Sequence, residues 1–339
     1  MAAQHVLETR DLTKTFLLNG APVPALDGVS LALPDGTRLA VVGESGCGKS
    51  TLARVIMNLT APDGGEVIFR GERLSGLTGP RLRESRQRVQ MIFQDPSQAL
   101  NSRMIVRDLV SEPLMNFRRI ASRDRDRAAA ELLAEVGLDA SFLRRHPHSM
   151  SGGQLQRVAI ARALALRPEL IVCDEATSAL DVSIQKTILD LLDSLAARHG
   201  IHYLLICHDI ALAASFASLV VVMYRGRIME TLGGSGLKAH ARHPYTRLLL
   251  DSVFETDGTV PPIRRGNGPN GPADGRLAGE PAPARGCGFA GRCECPAEAC
   301  ARERPPLREA GPGHFLACHR EWAGYPPAAP APPGAGAAA

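Results

Sequence analysis

Gly43-Glu44-Ser45-Gly46-Cys47-Gly48-Lys49-Ser50 carries the G-x-x-x-x-G-K-[ST] spacing of a phosphate-binding loop. A hydrophobic run, Leu39-Ala40-Val41-Val42, precedes it and reads as a buried strand. Thr51 to Leu59 follows and reads as a helix, with Leu52, Val55, Ile56 and Leu59 on one face. Strand, loop and helix in that order are what the motif needs, and they tell against a chance glycine-rich turn. Glycines let the backbone wrap closely and aim its N–H groups at phosphate oxygens, so Gly43, Ser45, Gly46, Cys47 and Gly48 are candidate phosphate-binding residues. The helix N-terminus adds partial positive charge at the same point. Lys49 is expected to reach the β- and γ-phosphates, Ser50 to ligate Mg²⁺ through its hydroxyl, and Thr51 to sit beside the phosphates.

The 339 residues allow one large domain and a smaller unit, and 45% apolar content supplies a core. A net charge of +4 implies no polyanion, so no nucleic-acid partner is expected. Met1 to Lys14 carries Glu8, Arg10 and Asp11 and lacks the apolar stretch of a signal peptide. The best candidate membrane span, Tyr203 to Met223, is interrupted by His208-Asp209 and reads better as strand, polar tip and helix. A peripheral or cytosolic protein with reduced cysteines is expected.

Residues 1 to 36 read as short strands, Val6–Thr9 and Val29–Leu33, with a loop marked by Pro22 and Pro24. Phe16 is a candidate for stacking on an adenine ring, with a core phenylalanine as the competing reading. Glu66 to Glu72 suggests a strand pair, Arg81 to Arg88 a solvated helix, and Val89 to Phe93 a strand ending at Gln94-Asp95-Pro96. Gln94 is placed to coordinate Mg²⁺ or orient a water. From about Asn101 to Arg167 the apolar spacing is helical. Within it, Ser151-Gly152-Gly153-Gln154 reads as a capped helix start with free N–H groups, a second anion site. Leu170-Ile171-Val172-Cys173-Asp174-Glu175 reads as a buried parallel strand with acids at its carboxyl end, where ligands bind in α/β sheets. Asp174 would hold Mg²⁺ through its hydration shell, and Glu175 would aim at an attacking water. Ser178 to Asp181 precedes a helix from Val182 to His199. Ile201 to Cys207 is another buried strand, leading into His208, a candidate γ-phosphate contact. Leu219–Met223 and Arg227–Met229 read as an antiparallel pair.

Taken together, the phosphate loop, Gln94, Ser151–Gln154, Asp174-Glu175, Ser178–Asp181 and His208 resemble the Walker A, Q-loop, signature, Walker B, D-loop and H-loop of ABC-transporter ATPases. More narrowly, Val42–Arg54, Met91–Pro96 and His243-Pro244-Tyr245-Thr246 resemble the oligopeptide/dipeptide importer ATPases. The resemblance implies an α/β P-loop NTPase: a RecA-like core, an antiparallel β subdomain and an inserted α-helical subdomain at about 97–165, together spanning 5–250. A linker at 251–285, a small irregular cysteine-rich extension at 286–322 and a disordered tail at 323–339 would follow. It also implies a pair of ATPase subunits, expected to be unlike, sandwiching ATP between one phosphate loop and the opposite Ser151-Gly152-Gly153. Lys49, Gln94, Glu175 and His208 would be the catalytic set, and Asp181 a nucleotide contact from the D-loop. Two membrane permease subunits and an extracytoplasmic solute-binding protein complete the expected assembly at the cytoplasmic face of the inner membrane. Importers of nickel, opines or glutathione share the resemblance. A soluble ABC ATPase acting on ribosomes or DNA is the alternative, disfavoured by a single cassette and no long coiled coil.

Cys287, Cys293, Cys300 and Cys318 match the family's C-terminal pattern, and Cys295 is extra. Four thiolates suggest a metal, and the resemblance implies a [4Fe–4S] cluster. Zinc through cysteine and His319 is the alternative, as are plain reduced thiols; a redox-sensing role for the tail is the third functional reading.

Overall fold

In a computed structural model, residues 5–176, 181–254 and 285–320 are described. Ser178–Leu180, most of the expected linker and the tail at 323–339 lie outside them.

The N-terminal segment is one long hairpin, β1 (His5–Leu18) and β2 (Ala21–Pro34). It turns at Asn19 and Gly20, with φ of 51° and 81°. Two central residues at positive φ match the twist of a tight hairpin. The loop expected at Pro22 and Pro24 is therefore absent: both lie in β2, opposite Leu17 and Thr15. β2 is an outer strand of its sheet, where a proline's missing N–H is tolerated. After β3 (Arg38–Val42) and α1 (Lys49–Ile56), β4 (Gly64–Phe69) and β5 (Glu72–Arg73) complete this antiparallel sheet in the order β2-β1-β4-β5. Then come α2 (Gly79–Arg88), which buries no side chain, and β6 (Val89–Ile92). A helical block follows: α3 (Pro96–Ala99), α4 (Val106–Asn116), α5 (Arg125–Glu135) and α6 (Gly152–Leu164).

The chain returns to the sheet with β7 (Leu170–Asp174), α7 (Val182–His199), β8 (His202–Cys207), α8 (Ile210–Phe216), β9 (Leu219–Tyr224) and β10 (Arg227–Gly233). The short α9 (Leu237–His240) and α10 (Pro244–Phe254) come next. The C-terminal region adds α11 (Ala299–Arg302), β11 (Arg308–Gly311) and β12 (His314–Leu316). The large sheet runs β11-β12-β10-β9-β3-β8-β7-β6. β6, β7, β8, β3 and β9 are parallel, and the other three are antiparallel.

The unbroken apolar runs of β3, β7 and β8 follow from burial on both faces. Leu39 and Val41 join Leu52, Ile56, Leu7 and Val29, between the large sheet, α1 and the hairpin sheet. Ala40 and Val42 face the other way, toward Val158, Leu192 and Ala213 of α6, α7 and α8. Each fully buried Leu or Val contributes about 1.5–3 kcal/mol of transfer free energy, so the parallel strands are the most strongly held part of the fold. Val42 pairs with Cys207, and Asp174 with Ile206. This register brings the carboxyl ends of β3, β8 and β7 to one level.

The C-terminal region departs from the irregular segment expected. β12 pairs with β10 (Glu230 opposite Leu316) and extends the sheet, and the Ala317 N–H donates to Met229 O at 2.8 Å. Glu230 is fully buried there. Its carboxylate accepts the N–H groups of Arg242 (2.7 Å) and His243 (3.1 Å), and His314 Nε2 lies 2.8 Å away. A burial this deep is tolerable because both carboxylate oxygens have partners.

Candidate active site

The phosphate loop joins β3 to α1 along a path that only glycine permits at two points. Gly43 has φ 155°, and a Cβ there would lie 2.2 Å from Met223 O. Gly48, at φ 108°, would meet Ala25 O at the same distance. The loop is thus pressed against β9 on one side and β2 on the other. Gly48 caps α1, whose first turn holds no acidic residue. Its leading N–H groups and dipole therefore face an anion unopposed. Lys49 is 4% exposed and folds back over the loop, donating to Gly43 O at 2.7 Å and Glu44 O at 2.9 Å.

Ser50 donates its hydroxyl to Asp174 Oδ1 at 3.0 Å, linking the loop to the end of β7. Burial pushes the Asp174 carboxyl above its usual range; the Ser50 hydrogen bond opposes this and the Glu175 charge adds to it. Glu175 has φ 47° and donates its N–H to Ile206 O at 2.8 Å. That left-handed step, uncommon outside glycine, turns the chain sharply at the strand end. Gln94, just past β6, donates from Nε2 to Glu175 Oε2 at 2.7 Å. His208 follows β8 and is exposed; Asp209 beside it caps α8, accepting from Ala211 and Leu212 N–H at 2.8 and 3.0 Å. Lys49, Ser50, Gln94, Asp174, Glu175 and His208 thus share the carboxyl edge of the sheet.

Ser151-Gly152-Gly153-Gln154 opens α6 with a reciprocal capping box: Gln154 N–H donates to Ser151 Oγ at 3.4 Å and Ser151 N–H to Gln154 Oε1 at 3.1 Å. The Ser151 hydroxyl accepts in this arrangement, which leaves its O–H to donate outward. Ser151 and Gly152 are exposed, and a Cβ on Gly153 would lie 3.1 Å from Ile184 Cγ2 of α7. Asp181 is exposed at the start of α7. Phe16 is 44% exposed, with Lys14 Nζ 5.6 Å from its ring centroid. It stands opposite Val23 on β2, two positions from the Ala25 that touches the loop.

Two contacts to the loop lie beyond what spacing predicts. Tyr245 OH accepts the Glu44 N–H at 2.8 Å, and Arg292 forms an ion pair with the Glu44 carboxylate. His243–Thr246 stands out in the sequence only as a resemblance, and no local signal connects residue 44 with residue 292.

The C-terminal cysteines do not fit the expected metal site. Among the described residues, no three His, Cys, Asp or Glu side chains come together in a way that would hold a metal ion. Burial pushes the Cys287, Cys293 and Cys318 thiols up, Cys293 to about 12. Cys293 and Cys295 sulfurs lie 3.9 Å apart, and His319 Nε2 is engaged with Glu303 O at 3.0 Å. Neither the [4Fe–4S] cluster nor zinc is supported by this geometry.

No helix among the described residues is long and apolar enough to cross a membrane. The family "ABC transporter" matches residues 26–178, and "Oligopeptide/dipeptide transporter, C-terminal region" matches residues 229–300. The chain is 42% identical to the oligopeptide transport ATP-binding protein AppF of Bacillus subtilis, over 93% of this chain and 97% of that protein. It is 42% identical to a probable peptide ABC transporter ATP-binding protein, y4tS, of Sinorhizobium fredii, over 90% and 84%. Among solved structures, the dimeric bacterial ABC transporter cassette MJ0796 aligns with a TM-score of 0.62 and 30% identity, covering 67% of this chain and 98% of that one. The cassette cbiO1 of Clostridium perfringens aligns with a TM-score of 0.63 and 26% identity, covering 70% and 92%. Cassette geometry in the first part of the chain, the C-terminal region docked on its sheet and relatives matched over nearly their whole length lead to one family: the chain belongs to the ATP-hydrolysing subunits of ABC transporters, in the branch that carries the oligopeptide/dipeptide transporter C-terminal region.

Proposed function

We propose that the chain hydrolyses ATP to drive import of oligopeptides or dipeptides through a membrane permease. The observation that carries the hydrolytic part is the pair of contacts Ser50–Asp174 and Gln94–Glu175 beside the phosphate loop. Phosphate oxygens would take the Lys49 ammonium and the leading N–H groups of α1. The hydroxyl, carboxylate and amide oxygens of Ser50, Asp174 and Gln94 are hard donors of the kind Mg²⁺ prefers, and few protein ligands suffice when phosphates supply the rest. Mg²⁺ bound there would neutralise charge on the β- and γ-phosphates. Glu175 takes the proton of the attacking water, Gln94 orients that carboxylate, and His208 donates to the γ-phosphate. Phe16 stacks on the adenine. Ser151, Gly152 and Asp181 are exposed, Gly153 and Gln154 half-buried, and together they would close over the nucleotide of a second ATPase subunit.

Coupling to the permease would start beside Gln94. A cavity of about 200 Å³ between the sheet and the helical block is lined by Leu59, Met91, Phe93, Leu100 and Pro113. Leu59 and Phe93 are 50% and 43% exposed, and Phe93 directly precedes the residue that holds Glu175. A short cytoplasmic helix of the permease seated there would move Gln94 and Glu175 together. Two permeases, an unlike partner ATPase, a solute-binding protein and placement at the cytoplasmic face of the inner membrane complete the proposal. The peptide cargo is supported by the peptide-transport names of the relatives.

The test combines kinetics with capture. Glu175→Gln should retain MgATP binding and lose turnover by about a hundredfold or more, as expected for a general base; wild-type turnover would overturn its role. Lys49→Ala should weaken nucleotide binding itself. Tagged Glu175→Gln protein, captured from detergent-solubilised membranes with ATP, should bring down two permeases and a second ATPase. Recovery of ribosomes or DNA-bound proteins without a permease would overturn the importer reading.

A further inference from the structure

We propose that Arg292, in the C-terminal region, is a positioning residue for nucleotide binding that acts through Glu44 of the phosphate loop. The two guanidinium nitrogens Nη1 and Nη2 meet the two carboxylate oxygens Oε2 and Oε1 of Glu44, each at 2.8 Å. Such a parallel pair fixes orientation as well as distance. The guanidinium carbon lies 5.7 Å from the ring centroids of both Tyr224 and Phe289, so the side chain is held before it reaches Glu44. Phe289 is itself 2% exposed and packs edge-on to Tyr224, at 5.4 Å, and tilted against Tyr245, also at 5.4 Å.

Every polar group of Glu44 is therefore engaged. Its carboxylate is held by Arg292, its N–H by Tyr245 OH at 2.8 Å, and its carbonyl by Lys49 Nζ at 2.9 Å. The Lys49 ammonium is the group that must meet the phosphates, and its resting partners are the carbonyls of Gly43 and Glu44. The orientation of the Glu44 peptide thus sets where Lys49 waits. Arg292 and Tyr245 set that orientation from outside the cassette's own motifs. The side chains of Arg292 and Glu44 are 37% and 40% exposed, a setting in which an ordinary ion pair contributes little. The bidentate geometry and the two rings make this one an exception.

The inference rests on the loop binding ATP, and the experiment separates the two. Equilibrium binding of a fluorescent ATP analogue and steady-state kinetics would be measured on the full chain for wild type, Arg292→Ala, Arg292→Lys, Glu44→Gln and the double variant Arg292→Ala/Glu44→Gln. Arg292→Ala should weaken nucleotide binding and raise KM about 3–10-fold, with kcat nearly unchanged, because preorganisation acts on the bound loop. Arg292→Lys keeps the charge but loses the fork, and should fall between. Glu44→Gln should match Arg292→Ala, and the double variant should be no worse than either single one. Unchanged affinity in Arg292→Ala, or an equal loss when Glu44 is already Gln, would overturn the proposal. Should Arg292→Ala undock the C-terminal region, read as new protease sensitivity, Arg292→Lys with wild-type protease resistance decides: reduced affinity supports the proposal, wild-type affinity overturns it. Wild-type protein that binds no nucleotide at all would instead overturn the ATP-site reading.

Discussion

His243 makes a pH-dependent stability that can be worked out before it is measured. It stands just ahead of α10 and is 1% exposed. Its Nδ1 accepts the Tyr245 N–H at 3.0 Å, so a proton there would set donor against donor. Burial pushes its pKa down from 6.5 to about 4, against the opposing pull of the Glu230 carboxylate and the Ala317 carbonyl. Between those two values the unfolded chain takes up a proton that the native chain refuses. Stability from this group is therefore complete above the unfolded value and is lost as pH falls toward the folded one. Integrating that difference gives about 2 kcal/mol lost by about pH 5 and about 3 kcal/mol by about pH 4. His243→Gln retains an acceptor for Tyr245 and cannot titrate. Urea unfolding followed by circular dichroism, at fixed ionic strength, should show wild type losing about 2 kcal/mol more than the variant between about pH 7 and about pH 5. Parallel pH curves for the two proteins would refute the reasoning.

Three further outcomes are expected. Asp174→Asn should raise the melting temperature at neutral pH in nucleotide-free buffer, because the buried ionised carboxylate is disfavoured in the native state, while MgATP turnover collapses; a lower melting temperature would contradict the burial argument. Gly48→Ala should destabilise by about 1–3 kcal/mol in equilibrium unfolding and weaken nucleotide binding, since the new Cβ must move away from Ala25 O; wild-type binding would show that the loop yields freely. His314→Ala should cost about 3–5 kcal/mol in the same assay by leaving the buried Glu230 carboxylate short of a partner, and a loss below about 1 kcal/mol would show that the carboxylate does not depend on this contact.

Much of the parallel sheet was legible because its strands are short, largely apolar and lead into polar residues. Leu170–Asp174 and Ile201–Cys207 can hardly be anything else once the phosphate loop lies between strand and helix. The contacts Ser50–Asp174 and Gln94–Glu175 join the phosphate loop, the residue after β6 and the acids at the end of β7. Pro22 and Pro24 misled because a proline rule reads local propensity, whereas an outer strand excuses the missing N–H. The strands Arg308–Gly311 and His314–Leu316 were missed for the opposite reason: they are too short to show alternation and exist by pairing onto β10. Cysteine spacing suggested a metal, yet no metal-holding group of side chains forms among the described residues. Glu44, Tyr245 and Arg292 meet only in three dimensions.

The pairing of β12 with β10 has a consequence for how the protein behaves when cut. Without the C-terminal region, β10 would present a row of unsatisfied N–H and C=O groups along Glu230 and Thr231, flanked by Met229 and Leu232. Such a strand is a template for pairing with another chain. A cassette truncated after α10 would then keep its phosphate loop but self-associate, so solubility depends on the strand that β12 adds to the sheet.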